Sequence, residues 1–441
     1  MVCTPLFSKR PWVCLWVILA LALAPDVAQA AGDSAATDGF QSFVEDLWPQ
    51  VQSRGVSRAT FDSAFTGITP DPRVLAATRR QPEYGKPLQA YINSFAGPAR
   101  IAAGQRSATR WNDTLAAVER AYGVDRFTIL SIWGAESDYG AEKPQWDVVR
   151  SLATLAHARY RDDVFRDELL AALQILQEGH VSRDLMLGSW AGAMGQCQFL
   201  PSSFLQWAVD FSGDGKRDIW SNVPDVLASI SHYLIGHGWT PGMPWGFEVV
   251  VPPGFDYRRS RGSFQEWAAL GVRRADGGPL PDRYNAILFF PSGAGGPAFL
   301  VTDNFIAIKR YNDSDAYALA VAQLADRLRG LGPIRATWPP HDMPLSRVQR
   351  ISMQHGLAQL GYNVADFQGH IDFDLRDAIR DVQAKAGKMP DGHADLSVLE
   401  LILSQARSQP AATKKLGSGL KKLYVIGAAT MLRTRARRTT G

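Results

Sequence analysis

Cysteine is almost missing from this chain, with three in 441 residues. Cys3 and Cys14 fall within the first thirty residues, so Cys197 stands alone in the remainder, an intramolecular disulfide is excluded there, and stability has to come from packing. A membrane-spanning run is missing too. Pro11 to Ala24 is apolar over about fourteen residues, where a spanning helix needs roughly twenty. Lys9 and Arg10 precede that run, and Ala28-Gln29-Ala30 offers small residues where a signal peptidase would cut. Residues 1–30 therefore read as an export signal cleaved near Ala30 rather than an anchor. No cysteine stands directly after the apolar run, which argues against a lipoprotein. Strong charge is confined to one end: residues 411–441 hold eight Lys or Arg and no acid. That tail and the leader's net +1 together exceed the formal +4, so residues 31–410 carry about −5. Export argues against a nucleic-acid role. The tail reads as disordered, either solvated or in peripheral contact with anionic lipid headgroups.

What is present is the composition of a folded protein, 46% hydrophobic and 20% charged, in a chain long enough for two or more domains. Residues 38–120 read as a helical flank, with Phe40, Phe43, Val44 and Leu47 at helical spacing. Residues 121–239 stay helical between glycine-rich turns and hold most of the chemistry-bearing side chains. Between 240 and 297, Pro-Gly, Pro-Pro and Gly-Gly pairs punctuate short runs such as Phe247 to Val251 and Ala286 to Phe290, which predicts a small β-rich insertion. Helical pattern resumes over 298–332, with Ala316 to Leu328, until Thr337-Trp338-Pro339-Pro340 reads as a linker. A small domain over 341–405 then shows two helix-like stretches, one with Val348, Ile351 and Leu357, the other with Ala378, Ile379 and Val382.

One glutamate is placed unusually. Asp125 can cap a helix on which Ile129, Ile132, Trp133 and Glu136 share a face. A carboxyl group extending an apolar stripe, in the last turn before Gly140, is disfavoured as an anion by desolvation and by the helix dipole, which suits a general acid. The plainer alternatives are a surface glutamate at a frayed helix end, or one paired with Arg126 or Arg150.

Gly188-Ser189-Trp190-Ala191-Gly192-Ala193-Met194-Gly195 is rich in small residues, which would let a polymer approach the backbone or let two helices pack closely. Gln198 and Phe199 follow, an amide for the polar edges of a sugar and a ring for its apolar face, and Pro201 starts a helix.

Together, Glu136-Ser137-Asp138-Tyr139-Gly140, the Gly188 to Gly195 segment and Gln198-Phe199-Leu200-Pro201-Ser202-Ser203-Phe204 closely resemble the membrane-bound lytic transglycosylase B family. The resemblance runs on through Asp210 to Trp220, Ser231-His232-Tyr233, His237-Gly238-Trp239 and Arg310-Tyr311-Asn312, covering roughly residues 38–332. It implies a mainly α, α+β protein with a lysozyme-like helical core. It also implies a periplasmic enzyme that cleaves between N-acetylmuramic acid and N-acetylglucosamine with formation of a 1,6-anhydro sugar. Carried over residue by residue, Glu136 becomes the acid/base, and Ser189, Gln198, Phe199, Tyr233, Tyr311 and Asn312 the sugar-contacting positions. Residues 341–405 resemble the small peptidoglycan-binding domain through Leu360-Gly361-Tyr362, Asp377-Ala378-Ile379 and Pro390-Asp391-Gly392, with Phe367-Gln368-Gly369-His370 departing from the usual Asp-Gly. Glycan strands are the implied partner, with cell-wall synthesis or division proteins as further candidates and the acidic peptide stems of the wall as a second ligand for the tail. A hydrolytic muramidase and a non-catalytic wall-binding scaffold are the competing readings.

Asp210, Ser212, Asp214 and Gly215 match the first positions of a calcium loop, with the Lys216 carbonyl next. Its twelfth position is Ser221, but the resembled family uses a longer loop with a late aspartate, here Asp225. A structural calcium ion or a metal-free Asx turn both fit, and no cofactor is expected for catalysis. Cys197 lacks a local histidine partner and reads as a packed small residue. Trp133, Trp190, Trp207 and Trp239 would stack on sugars only if they line a groove.

Overall fold

The computed structural model describes residues 26–79, 86–161, 163–340 and 342–408. The basic tail and most of the expected leader lie outside them. Six helices form the flank: α1 (Asp26–Ser53), α2 (Arg58–Phe65), α3 (Pro72–Ala77), α4 (Leu88–Phe95), α5 (Pro98–Arg110) and α6 (Asn112–Tyr122). Then come α7 (Arg126–Ser137), β1 (Trp146–Asp147), α8 (Val148–His157), α9 (Val164–Glu178), β2 (Leu187–Gly188), α10 (Pro201–Trp207) and α11 (Val223–Gly236). Asp125 caps α7 as expected, its Oδ2 accepting the Thr128 N–H at 2.9 Å. The helix is not the one-sided stripe its spacing suggested. Thr128 through Gly134 are all buried, which makes α7 the central helix of the core, wrapped by its neighbours on every side.

The β-rich part holds β3 (Gly246–Val250), β4 (Arg261–Ser263), α12 (Phe264–Ala269), β5 (Arg273–Arg274), β6 (Asn285–Phe289) and β7 (Ala298–Val301). Its strands form one antiparallel sheet in the order β4-β6-β7-β3-β5, so the sheet runs past residue 297, where the sequence pattern had placed its end. β6 and β7 are almost continuously apolar and buried, which is why alternation could not locate their ends. The chain then returns to the helical core with α13 (Asp303–Lys309) and α14 (Asp315–Leu328). α14 packs directly on α7, the Ser131 hydroxyl donating to the Val321 carbonyl at 2.6 Å.

The C-terminal subdomain has three helices, α15 (Arg347–Gln359), α16 (Phe373–Lys385) and α17 (Leu396–Ser408), one more than the sequence pattern showed. Met353, Leu357, Ile379, Val382, Leu399 and Ile402 fill its core, while Val348, read as a core position, is 54% exposed. Its two turns are built alike. Buried Gln354 accepts the Gly369 N–H and donates to the His370 carbonyl, and buried Gln383 accepts the Gly392 N–H and donates to Asp391, all four bonds at 2.8 Å. The departure at Gln368-Gly369-His370 therefore keeps the turn intact. The linker is held rather than loose: Glu248 on β3 accepts the N–H groups of Arg335 and Ala336, and Trp338 is buried. Phe373 joins the main core edge-on to Phe289.

Candidate active site

Glu136 sits in the last turn of α7, and it is half-buried. Beyond it the chain makes three successive left-handed residues, Asp138 (φ 48°), Tyr139 (φ 59°) and Gly140 (φ 80°), a costly sequence for the two that carry a Cβ. The reversal returns the Tyr139 ring over Gly134, where any added Cβ would lie 2.5 Å from the ring, and its hydroxyl donates to the Arg100 carbonyl at 3.1 Å. The aromatic-glycine part of the motif thus shapes the helix end that carries Glu136. Arg126 and Arg150, the candidate partners in its sequence neighbourhood, bond other groups. Arg126 pairs with Glu119 at 2.6 Å, and Arg150 bonds the Thr69 carbonyl and approaches Asp71.

The partner of Glu136 is Tyr317, 3% exposed near the start of α14, whose hydroxyl donates to Oε1 at 2.5 Å. Sequence reasoning missed this residue because 181 positions separate the pair and no local pattern marks it. The Tyr317 ring stacks near that of Tyr311, Tyr311 packs on Tyr233, and both touch Phe199, with centroids 4.7 to 6.4 Å apart. Burial, then the charge of Glu136, pushes the Tyr317 phenol well above its ordinary value; burial, then Cys197 and Glu136, does the same to Tyr311. Burial and Asp313 push Tyr233 up to about 12. These phenols stay protonated and act as donors.

Tyr233 donates to the Arg310 carbonyl at 2.7 Å and Tyr311 to the Cys197 carbonyl at 3.0 Å, so these two hydroxyls brace the loops around Glu136. Phe199 corrects an expectation: its ring is 2% exposed against Tyr233 and Tyr311, so it supports the wall of the site instead of offering a face to sugar. Gln198, held at φ 51° with its amide donating to the Gly195 carbonyl at 2.9 Å, is partly exposed, and Asn312 is exposed beside Tyr311. Ser189 accepts the N–H groups of Ala191 and Ala193 at 3.3 and 3.1 Å, which leaves its own proton to donate.

The small residues of 188–195 serve the protein itself. A Cβ on Gly188 would meet the Ala193 carbonyl at 2.1 Å, on Gly192 the Leu152 side chain at 2.4 Å, and on Gly195 the Ile219 carbonyl at 2.5 Å. The segment is a compressed turn seated on α8 and residue 219, and not one of a pair of close-packed helices. Gln196, which the sequence reading passed over, fastens this turn to α7: it accepts the Trp133 indole N–H at 2.8 Å and donates to the Trp220 carbonyl at 2.9 Å. Trp133 and Trp239 are buried, whereas Trp190 and Trp207 are partly exposed. Cys197 is fully buried, its thiol pushed well up by burial and then by Glu136, and it packs as expected.

Where the loop after α10 meets the first turn of α11, carboxylate oxygens of Asp210, Asp214 and Asp225 lie within 4.8 Å of one another, with Asp225 fully buried. Asp210 accepts backbone N–H groups of Gly213, Asp214 and Gly215, and Asp225 those of Phe211, Ser212 and Asp218, so the loop carries Asx-turn bonds as well. Ser212 donates to Asp210, and the Lys216 N–H bonds Asp214. Three acids converging this tightly suit a hard cation in charge and donor type.

α7 thus ends in one half-buried carboxyl bonded by Tyr317 beside the packed rings of Tyr311, Tyr233 and Phe199, and Gln196 ties the glycine-tight turn to the same helix. Residues 39–326 match the family described as Transglycosylase SLT domain, and residues 346–402 a peptidoglycan binding domain. The membrane-bound lytic murein transglycosylase B of Escherichia coli is 31% identical over 68% of this chain and 85% of its own length. The crystal structures of Pseudomonas aeruginosa SltB3 in complex with NAG-anhNAM-pentapeptide and with NAG-NAM-pentapeptide are 44% identical, cover 82% of this chain and 99% of theirs, and superpose with a TM-score of 0.75. Escherichia coli Slt35 in complex with calcium is 29% identical over 67% of this chain and 94% of its own, with a TM-score of 0.56. The chain belongs to the SLT-domain lytic transglycosylases and is a lyase of that family.

Proposed function

We propose that the chain acts on peptidoglycan with Glu136 as its single acid/base. Glu136 protonates the oxygen bridging N-acetylmuramic acid to N-acetylglucosamine, and the muramyl C1–O bond breaks. The muramyl 6-hydroxyl then bonds to C1 and returns its proton to the carboxylate, giving a 1,6-anhydro product with no water consumed. The N-acetyl group of the substrate carries positive charge at C1, so no second protein carboxylate is needed, and the intramolecular attack avoids ordering a separate nucleophile. The observation that carries this reading is the half-buried Glu136 carboxyl, met by the Tyr317 hydroxyl, in a relative of a protein crystallised with both unprocessed and anhydro muropeptides.

Ser189, Gln198, Asn312 and the tyrosines Tyr233 and Tyr311 line the sugar path in this reading, and Phe199 shapes it from behind. The peptidoglycan substrate places the enzyme in the periplasm. Asp210, Asp214 and Asp225, with Ser212 and the Lys216 carbonyl, would hold a calcium ion that neutralises the converged acids and fixes the loop before α11, as the calcium complex of Slt35 suggests.

Digestion of purified sacculi, with product masses measured, tests the reaction. Anhydro products one water lighter than the hydrolytic ones are expected, and Glu136→Gln should cut their release by about a thousandfold while leaving sacculus binding intact. Heavier, hydrated products would make the protein a muramidase, and undiminished binding with no cleavage by the wild type would make it a scaffold.

A further inference from the structure

The C-terminal subdomain reaches into the ground the active site stands on. Asp315 is the first residue of α14, two before Tyr317, and it is enclosed by charge from both sides. Lys309 Nζ, at the end of α13, lies 2.8 Å from Oδ1, and Arg376 of α16 donates through Nη2 to Oδ2 at 2.6 Å. All three side chains are 15% exposed or less. Arg376 also donates to the Gly392 carbonyl at 3.1 Å and lies over the Phe289 ring, while Lys309 donates to the Ile371 carbonyl at 2.9 Å. The loop between Lys309 and Asp315 carries Tyr311 and Asn312. One buried carboxylate thus fixes both ends of that loop and the first turn of α14, and half of its compensation comes from another subdomain.

We propose that Arg376 is a positioning residue for catalysis, setting Tyr317 against Glu136 through Asp315, so that the wall-binding subdomain tunes turnover as well as attachment. The inference rests on the reading of Glu136 as the acid. Removing Arg376 leaves Lys309 as the one remaining partner of Asp315 and takes the bond from Oδ2, and the cheapest relief for that buried oxygen is to turn toward water. Doing so rotates the first turn of α14, which carries Tyr317. Burial alone would push the Asp315 carboxyl up, yet Lys309 and Arg376 together hold it at about 2, so it stays charged throughout the working range.

The test uses the full chain and separates turnover from attachment. Release of anhydro muropeptides at saturating sacculi should fall about tenfold in Arg376→Ala, as expected for a reacting group displaced by a fraction of an ångström, with sacculus pelleting within twofold of wild type. Arg376→Lys should recover part of the loss. Arg261→Ala, which breaks the exposed pairs to Asp374 and Asp377 on the same interface, should match wild type in both measurements. Thermal melts identify any variant that does not fold, and Arg376→Lys decides by the same split if the alanine variant is lost. Wild-type turnover with weakened pelleting would overturn the proposal and leave the subdomain as a tether. Glu136→Gln is run alongside: if it still cleaves, the acid assignment fails and the coupling with it, whereas if it is silent and Arg376→Ala turns over normally, only the coupling fails.

Discussion

At the scale of single residues, Glu136 was marked as a candidate by its neighbours, because a carboxyl at i+7 on an apolar helical spacing is out of place, and the motif resemblance was needed to choose it over a surface or paired glutamate. Tyr317 could not, since what makes it important is a contact across 181 positions. Phe199 shows the reverse case: its residue type suits a sugar face, yet only the fold reveals that the ring is spent on packing Tyr233 and Tyr311. The Tyr317 hydroxyl offers a clean test, because Tyr317→Phe keeps the ring and its packing while removing one bond to a carboxyl group. A charge-assisted bond of this kind is worth about 1.5–3 kcal/mol, so turnover should drop roughly ten- to a hundredfold with substrate binding little changed. Unchanged turnover, measured on sacculi at saturation, would mean that the bond exists only in the resting site.

At the scale of elements, helix starts were legible where a cap or a proline marks them, as at Asp125 and Pro201. The 188–195 segment was legible as special but not as what it is. Small residues signal close approach, and a sequence does not say whether the approaching atoms are ligand or protein; here they are Ala193, Leu152 and Ile219. The acidic loop poses the same ambiguity between cation and Asx turn, and it can be settled by melting. Calcium at about a hundred times its dissociation constant should stabilise the protein by about 2.7 kcal/mol, and chelator should reverse the shift. Asp225→Asn should abolish the response, because the buried member of the three acids is the one that solvent cannot replace. A melting temperature indifferent to calcium and chelator would leave the loop as a set of turns.

At the scale of the whole molecule, the order of the parts was readable from composition, since Pro and Gly clusters and shifts of periodicity fall between them. Their attachment was not, because it depends on pairs such as Arg380 with the Leu288 carbonyl and Arg376 with Asp315, 92 and 61 positions apart. Among the described residues no helix is long and apolar enough to cross a membrane. The C-terminal helices are joined to the rest by this internal docking. Trp338 and Phe373 are shared with the main core, and Glu248 anchors the linker, which leaves little for the three C-terminal helices to unfold against independently. A subdomain of this size standing alone would be marginal, whereas one that borrows core from its neighbour opens only when the neighbour does. Hydrogen exchange in rising denaturant should therefore find α15 to α17 losing protection together with α7 and α14. The tryptophans, all at or before residue 338, should report the same midpoint by fluorescence. Earlier loss of protection in α15 to α17 would show a loosely held module, and would remove the rigid connection through which Arg376 could act on the active site.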